Sequence, residues 1–236
     1  MGLSKKSMKN ISSWVKLEGT GQAFSTPLIY RFLEKYVPAI LRSMTNVHIR
    51  GAHKVPLEGP AIFCGNHLGN LDPFIKILAS QRPIHFMAKE GHFDKQPNRF
   101  VMISTGQIET FRGSGARDAL ARAVDVIESG CCLGIFPEGT RSRRTEAPLL
   151  QPSKTGFARL AALFPDVPIV PVTLSIGARE FMPPGTMLPK PWKSIDDHWV
   201  DSMMAKSIDE RQEEMRILYR KFSDQLVNTL AMRGAP

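Results

Sequence analysis

The sequence predicts an α/β fold: one domain with a largely parallel, mixed central sheet flanked by helices, preceded by an amphipathic helical segment at the amino terminus. Three observations carry this. The 236 residues suffice for one full-sized core and are short for two. Apolar residues make up 42% and charged residues 22%, the balance of a folded globular chain rather than a disordered one. From residue 60 onward, short apolar runs alternate with helix-period segments, the pattern of βαβ units. Residues 1–45 are expected to form the amino-terminal segment and residues 46–236 the α/β domain.

In chain order, STPLIYRFLEKYVPAILRSM (25–44) spaces Leu28, Ile29, Phe32, Leu33, Tyr36, Val37, Ile40, Leu41 and Met44 at helical intervals, with a break in the backbone pattern at Pro38. Such a helix either docks on its own core or lies in a lipid interface, helped by Trp14 and by Lys5, Lys6, Lys9 and Lys16. The alternation then runs through AIFCG (61–65), PFIKILAS (73–80), PIHFMAK (83–89), GQIETF (106–111) and SGARDALARAVDVIES (114–129). CCLGIF (131–136), SKTGFARLAALF (153–164) and VPIVPVTLSI (167–176) continue it. After the Pro-rich FMPPGTMLPKPW, Ser207 and Glu210 form a capping box that opens a helix with the apolar stripe Met215, Leu218, Phe222, Leu226 and Leu230.

The formal net charge of +9 favours anionic partners: phospholipid surfaces, acidic carrier proteins, phosphorylated metabolites or nucleic acid. Nucleic acid is disfavoured, because no helix-turn-helix, zinc-finger or RNP-like pattern is present and aromatics are not interleaved with the basic residues. Cys64, Cys131 and Cys132 lack zinc-type spacing and lie in apolar runs, which fits a reducing compartment. The sequence reads as having neither a signal peptide nor an apolar stretch long enough for a membrane span.

CGNHLGNLDP (64–73) places His67 and Asp72 five residues apart between a strand-like run and a helix. On one helix they would point about 140° apart, so a turn has to bring them together. Gly69 and Asn70 permit that turn, and Pro73 suits the first helical position, which would make Asp72 the N-cap. Asp72 is then either a cap alone or a carboxylate that reaches Nδ1 of His67, fixes its tautomer and leaves Nε2 as a general base. No serine or thiol nucleophile stands nearby except Cys64 in its apolar strand, so the nucleophile is expected to arrive with the substrate. FPEGTRSRR (136–144) gathers Glu138, Arg141, Arg143 and Arg144 around Gly139 and Thr140, and Lys89 and Arg112 also fall at strand ends, so several cations could meet one anion.

NHLGNLDP, GQIETFR, FPEGTRS and VPIVPVTL, in that order over residues 45–180, resemble the blocks of the lysophospholipid, or 1-acyl-glycerol-3-phosphate, acyltransferase family. The resemblance implies that His67 and Asp72 are the catalytic pair, preceded by Asn66. It implies that Lys89, Arg112, Glu138, Gly139, Thr140 and Arg141 serve the acceptor phosphate, and that Ile169, Val170 and Pro171 lie near the acyl donor. The reaction implied is transfer of an acyl group from acyl-CoA or acyl carrier protein to lysophosphatidic acid, giving phosphatidic acid, with no bound cofactor and no metal. It further implies a peripheral protein on the cytoplasmic face of a membrane, its amino-terminal segment docked on anionic lipids. Gly69, where many members carry Ser, and Phe111 before Arg112 depart from the family pattern and bear on the acceptor. Another lysolipid or a glycolipid is the alternative acceptor, and a non-catalytic lipid-binding protein the alternative class.

Overall fold

Ile62, Phe63 and Cys64 are all buried, so this short run has no solvent face and takes a central place in the sheet as β1 (Ile62–Cys64). The computed structural model describes residues 3–44, 46–111, 115–144, 146, 148–175 and 195–236. Around β1 stand β2 (Ile84–Lys89), β3 (Ile108–Thr110), β4 (Cys132–Ile135) and β5 (Ile169–Pro171), in the order β3-β2-β4-β1-β5. Every ladder among the described residues is parallel: β1 with β4 and β5, β2 with β3 and β4. The expected largely parallel sheet is present, and no antiparallel strand joins it among the described residues. Pro171, which has no N–H to give a second neighbour, sits on the edge strand, where its missing donor costs least.

The five described strands therefore end on one edge, where the loops that follow β1, β2 and β4 gather. α3 (Asp72–Ser80) connects β1 to β2, α4 (Asn98–Ser104) lies between β2 and β3, α5 (Gly115–Glu128) leads to β4, and α6 (Gly156–Leu163) leads to β5. α4 was not foreseen, since its seven residues are too few to show a period. α8 (Ile208–Met232) starts with the foreseen capping box: Ser207 Oγ accepts from the Glu210 N–H, and the Glu210 carboxylate accepts from the Ser207 N–H. Its stripe of Met215, Leu218, Phe222, Leu226 and Leu230 is buried. The Pro-rich stretch FMPPGTMLPKPW lies outside the described residues.

The amino-terminal region divides in two. α1 (Lys5–Trp14) packs against α6, α8 and α7 (Asp197–Met204), with Ile11 and Trp14 buried in the main core and Arg211 over the Trp14 ring. Trp14 is thus a core residue and cannot anchor in lipid as expected, because its indole is already covered by protein. α2 (Leu28–Met44) runs as one helix through Pro38. Its inner side is held by Tyr30, whose hydroxyl accepts from Ile84 N–H and donates to Ile84 C=O at the start of β2. Its outer side leaves Leu28, Ile29, Phe32, Tyr36 and Ile40 exposed. These five fall on one face at a period of 3.6, a stripe turned away from the core rather than toward it.

Candidate active site

The chain leaves β1 at Gly65, where it has almost no room. A Cβ there would stand 2.2 Å from the Val172 carbonyl oxygen and 2.4 Å from Lys76 Cε, so only glycine allows this approach. The buried Asn66 follows, and its side chain behaves like a strand partner. Nδ2 donates to the Leu174 carbonyl and Oδ1 accepts from the Leu174 N–H, each at 2.8 Å. This clamp continues the contact of β1 and β5 past the ladder and fixes where the next residue begins.

That residue is His67, held on both sides of its backbone by the loop after β4. Its N–H donates to Glu138 Oε1 at 2.9 Å, and its carbonyl accepts from the Ser142 N–H at 3.1 Å. The ring stacks on Phe136, with centroids 3.9 Å apart and planes 19° off parallel. Nδ1 lies 2.8 Å from Asp72 Oδ2, the same oxygen that accepts from the N–H groups of Leu68 and Gly69. Asp72 was expected as the helix N-cap. Instead Leu71 occupies that place in helical geometry, Asp72 is the first residue of α3, and its carboxylate turns back to close the loop before the helix. Three donors have outbid the helix for one carboxylate.

Burial tends to raise the Asp72 carboxyl, but the hydrogen bonds from His67, Gly69 and Leu68 and the nearby Lys76 ammonium outweigh it and hold it below the usual carboxylate range. An ionised Asp72 requires the ring proton on Nδ1, which leaves the Nε2 lone pair to accept. Nε2 has no hydrogen-bond partner among the described residues, and the side chain retains 20% of its exposure. The N–H groups of Leu68 and Gly69 are spent on Asp72 and are not donors for a developing oxyanion.

Glu138 was grouped with phosphate-binding residues; its geometry gives it another task. The carboxylate is buried, with Oε1 on His67 N–H and Oε2 on Gln151 N–H at 3.0 Å, so it faces inward and would repel an anion. The neighbouring Gly139 has φ of 72°, and a Cβ on it would meet Lys154 Cε at 2.8 Å. Thr140 and Arg141 are exposed beyond it. Lys154, lying over Gly139 and exposed, is a cation that sequence reading missed; SKTG gave it no motif, and only the fold brings it to this loop.

Lys89, the last residue of β2, is exposed at the same edge of the sheet, as expected from its position after HFMA. Arg112 lies outside the described residues, two positions past the end of β3. Pro171 pairs with Cys64, and its carbonyl accepts from Arg233 Nη1 at 3.2 Å, so the end of β5 is tied to the carboxyl-terminal end of α8. His67, Lys89 and the loop bearing Arg141 thus all stand at or just past carboxyl ends of parallel strands, the edge at which open α/β sheets hold ligands.

A family model described as Acyltransferase matches residues 46–175, the span that contains every element of this edge. Over 128 residues the chain is 33% identical to the 1-acyl-sn-glycerol-3-phosphate acyltransferase of Borreliella burgdorferi, covering 53% of this chain and 50% of that protein. Over 178 residues it is 28% identical to the chloroplastic 1-acyl-sn-glycerol-3-phosphate acyltransferase BAT2 of Brassica napus, covering 71% of this chain and 50% of the other. The chain thus spans about half the length of the curated relatives it matches. Among solved structures, the crystal structure of the 1-acyl-sn-glycerophosphate acyltransferase PlsC from Thermotoga maritima aligns with a TM-score of 0.45 at 17% identity, covering 75% of this chain and 82% of that one. With a matched span that exceeds half of its length and holds the His67–Asp72 pair, the chain belongs to the acyltransferase family.

Proposed function

We propose that this protein transfers an acyl group from an acyl thioester to the free hydroxyl of 1-acyl-sn-glycerol 3-phosphate, forming phosphatidic acid. The observation that carries the reading is the His67–Asp72 pair, with Nδ1 on an ionised carboxylate and Nε2 unpartnered among the described residues. Nε2 takes the proton of the acceptor hydroxyl as its oxygen attacks the thioester carbonyl. The tetrahedral intermediate then expels the thiolate, which recovers the proton from the imidazolium. No group of the protein is acylated. Lys89, Arg112, Arg141 and Lys154 are the cations proposed to hold the acceptor phosphate, so that the reaction gains from positioning as well as from proton transfer. The positive charge of the chain also suits an anionic donor, acyl-CoA or acyl carrier protein.

The acceptor resides in a bilayer, and the exposed stripe of α2 supports docking there. No helix among the described residues is long and apolar enough to cross a membrane. Leu28, Ile29, Phe32, Tyr36 and Ile40 form an apolar face bordered by Arg31, Lys35 and Arg42, the composition of a helix that lies in an anionic interface. The proposed setting is therefore peripheral, on the cytoplasmic face of a membrane.

The test is transfer of a labelled acyl group from acyl-CoA and from acyl carrier protein to lysophosphatidic acid in mixed micelles, with other lysolipids in parallel. Wild type is expected to form phosphatidic acid, and His67→Ala to lose at least about 100-fold in kcat, the lower range for a general base. Wild-type turnover in His67→Ala would overturn the mechanism. Acylation of a different lysolipid alone would move the acceptor, to which Gly69 is the pointer.

A further inference from the structure

Beneath the base lies a lysine that no step of the reaction uses. Lys76 is fully buried on α3, one turn after Asp72 and on the same face. Its Nζ donates to the Asn66 carbonyl at 3.0 Å and lies 4.8 Å from the centroid of the Phe136 ring on which His67 stacks. Its methylenes fill the place where a side chain on residue 65 would go, so Gly65 and Lys76 fit as a pair. A lysine is rarely enclosed so completely without a partner that requires its charge.

Its direct partner is the Asn66 carbonyl, and the charges that favour its own are those of two carboxylates that grip the same histidine. Asp72 holds the His67 ring and Glu138 holds its backbone, and both are buried. Each performs its task only when ionised: Asp72 Oδ2 accepts three donors, and Glu138 accepts one N–H on each oxygen. Burial of each carboxylate favours its protonated form. Burial already raises the Glu138 carboxyl, and the Lys76 charge is among the influences that lower it, as it is for Asp72.

We propose that Lys76 is a positioning residue for the base, a fixed cation that allows Asp72 and Glu138 to remain charged together and so to hold His67 from two sides. It touches neither substrate nor Nε2, and it acts through the carboxylates and the Asn66 carbonyl. This inference rests on His67 being the base. The titratable groups that face Lys76 are Asp72 on its own helix, Glu138 in the loop after β4, and Cys64 on β1. Burial lowers the Lys76 ammonium to about 8, with Asp72, Glu138 and Cys64 acting in the opposite direction. A rise in pH through that value removes the cation and leaves the two buried carboxylates uncompensated, which weakens their hold on His67.

The experiment compares wild type, Lys76→Met, Glu138→Gln and the double variant in the micelle assay, with folding verified by circular dichroism. Lys76→Met is expected to lose kcat by about 10- to 100-fold, the usual effect of removing a group that orients a functional ligand, with KM for the lysolipid unchanged. Wild-type kcat falls on the alkaline side around pH 8, and that limb is absent from Lys76→Met. The double variant loses less than the product of the two single losses, because removing one carboxylate relieves the need for the cation. A pH-independent loss in Lys76→Met, or fully multiplicative losses, would assign Lys76 to packing alone and overturn the proposal. If Lys76→Met does not fold, the wild-type profile still decides, since a flat kcat up to about pH 10, near the ordinary lysine value, excludes the role. Independently of turnover, an NMR titration of the lysine ε-carbons in the intact protein is expected to show one lysine titrating near pH 8, displaced by Glu138→Gln. That displacement in a protein inactive toward every acceptor would sink the acyltransferase reading and keep the charge arrangement, whereas activity without it would do the reverse.

Discussion

At the scale of single residues, the site is an arrangement for holding one imidazole. Asp72 fixes the ring, Glu138 and Ser142 fix the backbone, Phe136 supports the ring face, and Asn66 fixes the residue before it. Asp72→Asn keeps the size of the side chain but replaces an acceptor-only group by one that also donates, so the ring is no longer compelled to carry its proton on Nδ1. A fall in kcat on the order of 10³- to 10⁴-fold at preserved fold is expected, read from steady-state rates. The turn that joins His67 to Asp72 is local, so their spacing offered the contact beside a plain helix cap, and the family resemblance favoured the contact. The role of Glu138 was not, since the atoms it contacts belong to residues 67 and 151, both distant from it along the chain.

At the scale of elements, two features rest on local backbone and surface rather than on chemistry. Gly139 is in the left-handed region with Lys154 where a side chain would go, so Gly139→Ala is expected to cost about 1–2 kcal/mol in a denaturant titration. It should also displace the Ser142 N–H that holds His67. On α2, Phe32 and Ile40 are exposed, so the Phe32→Ser/Ile40→Ser variant should unfold at nearly the wild-type temperature. Its binding to anionic vesicles in a sedimentation assay should weaken by at least about tenfold, given about 1.5–3 kcal/mol for each large apolar side chain fully buried. The period of α2 was readable in the sequence, while the side of the helix that meets protein was not: both of its faces carry apolar residues, and the anchor that decides is Tyr30 on Ile84.

At the scale of the whole molecule, buried ionisable groups set the response to acid. His85 is enclosed beneath α2, with Nδ1 on the Gly106 carbonyl and Nε2 at the Thr26 hydroxyl, and burial holds it down to about 4. Its folded value lies below its ordinary 6.5, so the unfolded chain binds the proton first and stability declines as pH falls from 6.5 toward 4. Asp72 is also lowered in the folded state, and its contribution, complete above its ordinary 3.8, is lost as pH falls below that through its folded value. Lys76 acts with the same slope in a higher window: its folded value lies below its ordinary 10.5, so the cost of burying its charge is present in full below about 8 and relieved as pH rises toward 10.5. Denaturation curves across pH are expected to show His85→Gln flattening the decline between 6.5 and 4 and leaving the steeper acid limb in place.

What the sequence determined by itself was everything carried by short range: the alternation that builds a parallel sheet, the capping box of α8, the turn joining His67 to Asp72, and the ordered motifs of the family. Such features depend on neighbours within a few residues, where propensity and spacing suffice. The tertiary structure alone decided that α1 and Trp14 belong to the core, that Glu138 accepts from the His67 N–H, that Lys154 lies over Gly139, and that Lys76 is buried against the Asn66 carbonyl. Each of these depends on which distant segments share a loop or a cavity, and burial, unlike spacing, becomes a property of a residue only once the rest of the chain has closed around it.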